Sequence, residues 1–221
     1  AKVELKTLKL SSLWPLGLKV QNLKILPRES NYRAEVERLY LRYHYPFTSY
    51  VEVNIERPLI QFVGSDLPVA KKQPAEPLPP PSTGQSSPGF AGAFLANLGA
   101  QLKVSDGVLV WKKDDDTNIR VEKFDLEVYK AKLINTTDPV NLQFSMLLQY
   151  TTPWLSGQTT IKGRAPDLRV SPEQASSQKS EMEIGGLILR ASGLSNIGAG
   201  THDWKLSANV EDLSILPRPP D

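Results

Sequence analysis

The chain has 221 residues, 40% of them hydrophobic and 23% charged, with a formal net charge of +2. That is globular composition, enough chain to bury a sizeable core, and too little charge to argue for nucleic acid. The absence of cysteine excludes disulfides, thiolate zinc sites and cysteine nucleophiles.

The charge is uneven. Residues 1–50 carry nine Lys or Arg against four Glu. Such a basic segment suits either anionic lipid headgroups or solvated strand faces. No apolar run approaches the roughly 18 residues that span a bilayer. Ala1-Lys2-Val3-Glu4-Leu5 already alternates as a strand does, so no secretory signal opens the sequence. It reads as a processed chain or part of a longer one, with any membrane anchor outside it.

Alternation with period two then dominates, from Val51-Glu52-Val53-Asn54-Ile55-Glu56 onward. Residues 68–88 interrupt it with seven of the 18 prolines. This stretch reads as an exposed loop or spacer between two β segments, 1–67 and 103–221. In residues 89–102, Phe90, Phe94, Leu98 and Leu102 recur every four positions, which predicts a short amphipathic helix lying over the sheet or closing its end. Ser105-Asp106-Gly107 predicts a turn before Val108-Leu109-Val110-Trp111, and Lys112 to Asn118 a polar hairpin tip.

Phe124, Leu126 and Val128 alternate with Asp125, Glu127 and Tyr129. In Leu142-Gln143-Phe144-Ser145-Met146-Leu147-Leu148-Gln149-Tyr150 every even position is apolar. Asp138-Pro139, Gly163, Gly185-Gly186 and Gly198-Ala199-Gly200 mark turns or bulges, and Trp204 to Val210 is a last alternating segment. One apolar and one wet face per strand is the signature of antiparallel sheet.

A six-residue pattern, Val-x-x-apolar-x-Leu/Ile, begins at Val20, Val36, Val121 and Val210. Its three-residue step would put Val and the next apolar residue on opposite faces of a regular strand. A bulge or kink between them restores one face. Its repetition favours an elongated, additive sheet over a closed barrel.

Leu102 to Asp114, with its Ser105-Asp106-Gly107, resembles a recurring element of AsmA-like proteins of the bacterial envelope. Val20 to Ile25 after Trp14-Pro15-Leu16, and Ile55-Glu56-Arg57-Pro58-Leu59-Ile60-Gln61-Phe62, are similar to further elements of that family. The resemblance runs from about residue 8 to residue 216. It implies a periplasmic segment, anchored in the inner membrane by a helix outside this chain, whose curled sheet carries phospholipid or another acyl-chain lipid toward the outer membrane. Contact with other envelope proteins follows from the same resemblance.

The expected fold is therefore mainly β: an antiparallel, curled, elongated sheet with one short helix, a closed β-sandwich being the alternative. The residues expected to line an acyl-chain groove are Val108, Val110, Phe124, Leu126, Val128, Phe144, Met146, Leu148, Trp204 and Leu206. The alternative function is a structural or adhesive β module that binds a protein through its sheet edges. No catalytic motif or cofactor signature appears. His44 and His202, the only histidines, lack a second ligand at metal spacing, and Asp114-Asp115-Asp116 lacks the alternation of a calcium loop.

Overall fold

The computed structural model describes residues 2–13, 16–26, 32–44, 50–63, 98–114, 116–132, 138–171, 173–197 and 199–210. These form eleven strands: β1 (Lys2–Leu13), β2 (Leu16–Leu26), β3 (Tyr32–His44), β4 (Tyr50–Val63), β5 (Gly99–Lys112), β6 (Asn118–Lys130), β7 (Val140–Thr151), β8 (Ser156–Val170), β9 (Gln174–Ile184), β10 (Leu187–Asn196) and β11 (Thr201–Val210). They build one sheet in sequence order. Every neighbouring pair is antiparallel except β4 and β5, which run parallel from Tyr50 opposite Gly99 to Val63 opposite Lys112. Through that pair the segments before and after the proline-rich stretch share one sheet. The stretch itself, residues 68–88, lies outside the described residues.

The sheet does not close, since β1 pairs only with β2 and β11 only with β10. Nor is it half of a sandwich. Packed inner faces bury most of their side chains, whereas here Leu98, Val104 and Ala165 are the buried apolar residues among those described, and no large side chain is fully enclosed. The architecture is a single curled layer.

The described residues contain no helix. Of the segment expected to be helical, Gly99 to Leu102 belong to β5, the buried Leu98 is non-regular, and residues 89–97 lie outside the described residues. A four-residue spacing is a multiple of two, so the same apolar stripe fits a strand.

Nor is Asp106-Gly107 a turn. β5 runs through it as one strand, with Asp106 at φ 53°. Three more non-glycine residues share that left-handed conformation: Asn22, Arg57 and Lys123, at φ 53°, 50° and 51°. They stand at one level of the sheet. Asn22 follows Gln21, whose partner is Arg38. Arg57 follows Glu56, paired with Arg38 on one side and Ser105, the residue before Asp106, on the other.

At this level the apolar positions step by three instead of two, from Leu5 to Leu8, Leu23 to Val20, Val36 to Leu39, Ile55 to Pro58 and Val104 to Gly107, and β6 takes the same step one pair further on, from Phe124 to Val121. A crease thus crosses β1 to β6. It ends at β7, where Lys123 and Phe124 together oppose the single residue Met146, between the pairs Glu122–Leu147 and Asp125–Ser145. Three of the six-residue patterns are crossings of this one crease rather than copies of a repeated unit; the fourth, starting at Val210, lies outside the described residues beyond its first position.

Polar contacts follow the crease. Arg57 Nη1 donates to Glu37 at 3.1 Å, its Nε lies 3.3 Å from Asp106, and the Asp106 amide donates to Asp125 at 3.0 Å. Pro58, which has no N–H to give a ladder, sits beside this interruption.

The hairpins use the expected chemistry. Lys113 N–H donates to Thr117 at the β5–β6 tip, and Gly185 and Gly186, both at positive φ, make the two-residue β9–β10 turn.

Candidate functional site: the apolar face

Directly opposed residues of neighbouring strands share a face. Following such pairs from edge to edge gives an unbroken row through all eleven strands. It runs Leu8, Val20, Leu39, Ile55, Val104, Leu126, Phe144, Gly163, Met182, Leu189, Ala208. Its one gap in side-chain cover, Gly163, is filled by the Phe144 ring, which lies where a Cβ would stand. At about 4.8 Å per strand the row is roughly 48 Å long.

A second apolar row, Leu10, Leu18, Leu41, Val53, Leu102, Val128, Leu142 and Ala165, flanks it from β1 to β8. Over β7 to β11, Leu142, Phe144, Ala165, Met182, Leu189 and Leu206 line a shallow hollow of about 470 Å³.

One residue away, the row on the other face is polar throughout: Lys9, Lys19, Tyr40, Asn54, Lys103, Glu127, Gln143, Arg164, Glu181, Arg190, Ser207. Its charges interlock. Glu127 accepts from Gln101 at 2.8 Å and Gln143 at 2.9 Å. Glu181 takes Arg164 at 3.2 Å on one oxygen and Arg190 at 2.9 Å on the other. Exposed pairs of this kind contribute roughly 0–1 kcal/mol each. Their main effect is to make this face the wetted one. Glu35 lies below the ordinary carboxylate range because Arg33 hydrogen-bonds it, with Lys24 adding to that against a desolvation that opposes it.

Of the residues expected on a common surface, Phe124, Leu126, Val128, Phe144, Met146 and Leu148 do stand on one face. The pairs Leu126–Phe144, Val128–Leu142 and Val121–Leu148 fix this, with Phe124 opposite Gly107 and Met146 opposite Ile161. Trp204 and Leu206 share that face through Gly193 and Ala191.

Val108 and Val110 do not. Val108 opposes Leu59, and Val110 opposes Gln61 and Arg120, so both lie on the charged face. The crease at Asp106 advances the phase by one residue, and Gly107, Leu109 and Trp111 take the apolar positions instead. Sequence reasoning also missed the N-terminal half of the face. The signal was present, since Val20, Leu23, Val36 and Leu39 all belong to the six-residue pattern.

A second, shorter crease crosses β8 and β9 at Pro166-Asp167. There Asp167 replaces ladder bonds: its carboxylate accepts from the Ser177 hydroxyl at 2.9 Å and from the amides of Gln178 and Lys179 at 3.0 and 3.3 Å. Partial burial pushes this carboxyl up, and those hydrogen bonds outweigh it and hold it below its ordinary value. Ser177 itself is buried.

The two histidines sit far apart in the strand order. His44, at the end of β3, bonds Glu52 at 3.0 Å and stacks on Tyr50 at 4.1 Å. His202, expected in a turn, is the second residue of β11 and bonds Ser195 at 3.0 Å. Among the described residues no three His, Asp or Glu side chains gather in a way that could hold a metal, and no helix is long and apolar enough to cross a membrane. No protein-family model matches the chain, and comparison with curated proteins finds no match.

Proposed function

We propose that this chain is a lipid-carrying segment of an AsmA-like envelope protein, holding phospholipid acyl chains against its apolar face in the periplasm between inner and outer membranes. One observation carries this reading: an apolar row that crosses every strand of an open sheet and is covered by no second layer among the described residues. A closed core needs apolar faces that meet each other. An apolar track some 48 Å long on one layer suits instead a ligand with its own long apolar surface. At about 0.8 kcal/mol per buried methylene, a sixteen-carbon chain with half its surface covered gains roughly 6 kcal/mol. Nothing in that interaction requires a specific polar group or a reaction, and we read the protein as a carrier rather than an enzyme.

The test is direct. Purified protein is extracted with organic solvent and the extract is analysed for phospholipid. The same is done for Met146→Asp combined with Leu148→Asp. Both positions are only partly buried on a single layer, so the new carboxylates reach water and the strand circular-dichroism signal should persist while bound lipid is lost. Wild-type protein free of lipid, or a folded double variant retaining its full complement, would refute the proposal. The first of those outcomes favours the second reading, a structural module joined through its sheet edges, for which the edges left unpaired among the described residues and the exposed apolar residues of β1 speak.

A further inference from the structure

The edge strand β1 begins both apolar rows with Leu8 and Leu10, and its outer edge carries a pattern beyond that role. Val3, Leu5, Leu8 and Leu10 are 62%, 47%, 60% and 53% exposed, and β1 contains no proline and, among the described residues, pairs on one side only. A long edge of that kind is a template for another strand. The three-residue step of the crease between Leu5 and Leu8 restricts which strand fits. A regular alternating strand laid against β1 is in phase with it on one side of the crease and out of phase on the other. The partner must step by three at the same level, as β2 does, where Leu5 opposes Leu23 and Leu8 opposes Val20.

We infer that the strand fitting this edge is β1 of a second copy of the chain, docked antiparallel about a two-fold axis between Lys6 and Thr7. In that register Leu5 meets the partner copy's Leu8 and Val3 its Leu10, so all four apolar residues stay on one face and the two creases coincide. The same register puts Glu4 opposite Lys9 of the other copy, twice by symmetry. Lys9 has reason to take a carboxylate, because its neighbour within the sheet is Lys19, and like charges directly opposed destabilise a strand pair. The contact is isologous and closed, a C2 dimer. Its axis stands perpendicular to the sheet, so both apolar faces lie on the same side and both rows run on from copy to copy.

The experiment measures self-association of the full chain by sedimentation over a concentration series, for wild type, Glu4→Lys, Lys9→Glu and the double reversal. Each single reversal sets two like-charged pairs across the axis and should weaken the dimer about tenfold. The double reversal restores both pairs and should recover wild-type affinity. Because the chain has no cysteine, register is read by mixing Leu5→Cys chains with Leu8→Cys chains. The mixture should form the disulfide dimer faster than either variant alone. A monomer throughout the series, a dimer indifferent to the reversals, or a double variant as weak as the singles would overturn the inference. So would equal cross-linking in all three cysteine samples. Glu4 and Lys9 lie on the polar face, opposite Lys24 and Lys19, so with the charge reversals lipid retention and dimerisation fail independently.

Discussion

Lys123 is the position where the crease makes the least intuitive demand. It lies exposed within β6, and general strand preference says that valine there should be neutral or favourable. The left-handed backbone at φ 51° reverses the sign. A non-glycine residue in that region costs about 1–2 kcal/mol, and a β-branched one more. Lys123→Val should therefore destabilise by about 1–2 kcal/mol, and the cause is the backbone, because the exposed lysine side chain has little packing to give up. Lys123→Gly relieves the backbone cost and returns about 0.5–1 kcal/mol of it through the freer unfolded chain, so it should come out stabilised by about 0.5–1 kcal/mol. Gln158→Val is the control: an exposed strand position on β8 without positive φ, where the change should stay within about 0.5 kcal/mol. Urea melts read all three as shifts in midpoint at constant m-value. A Lys123→Val protein as stable as wild type would show that the crease does not hold this residue left-handed, and the phase shift argued for β5 and β6 would fall with it.

Asp167→Asn should cost about 1–3 kcal/mol, because the three donors it satisfies lose a charged acceptor, and thermal melts at neutral pH check this. Since the folded carboxyls of Asp167 and Glu35 titrate below their unfolded values, their stabilisation is present above the unfolded carboxylate pKa and is lost as pH falls through the folded one. Asp167→Asn should thus flatten the acid limb of the stability profile, and an unchanged limb would discount the site. Gly163→Val drives a side chain into the Phe144 ring and should destabilise by about 1–3 kcal/mol, whereas a neutral result in a denaturant melt would mean that the ring does not cap this glycine.

The strands were legible wherever alternation ran unbroken, as from Leu142 to Tyr150, because one wet and one apolar face leaves an unambiguous period. Alternation misled beside the crease. Val108 and Val110 look like the core side of a new strand only if Asp106-Gly107 is a turn. When the chain instead passes through in a left-handed kink, both valines land on the charged face, Val108 opposite Leu59 and Val110 opposite Gln61 and Arg120. The kink was announced by the three-residue steps at Val20, Val36 and Val121. That they line up into one crease is a property of register across strands, and no single strand encodes it. The parallel joining of β4 and β5 was likewise invisible, since a long connection permits either direction. A helix and a strand were equally consistent with the spacing of Leu98 and Leu102, and pairing with β4 and β6 decided for the strand.

A single sheet of this width has no interior, so its stability must accrue from one strand pair to the next, much as in a repeat array. Such a sheet tolerates faults only where neighbours share them. A lone left-handed residue would put every apolar side chain beyond it on the wrong face, because a one-residue slip inverts the whole strand. Five strands stepping together, with β6 stepping one pair later, keep the apolar row unbroken, and the bulge at Lys123 and Phe124 lets β7 resume regular alternation. The ion pairs of Arg57 with Glu37 and Asp106 sit on the crease itself, where the interrupted phase leaves adjacent polar groups such as Glu37 and Arg38 in contact at 3.0 Å. Continuity of the apolar track is thus a collective consequence of matched irregularities. Flattening one strand by substitution would break the track across that strand even if every hydrophobic residue were kept.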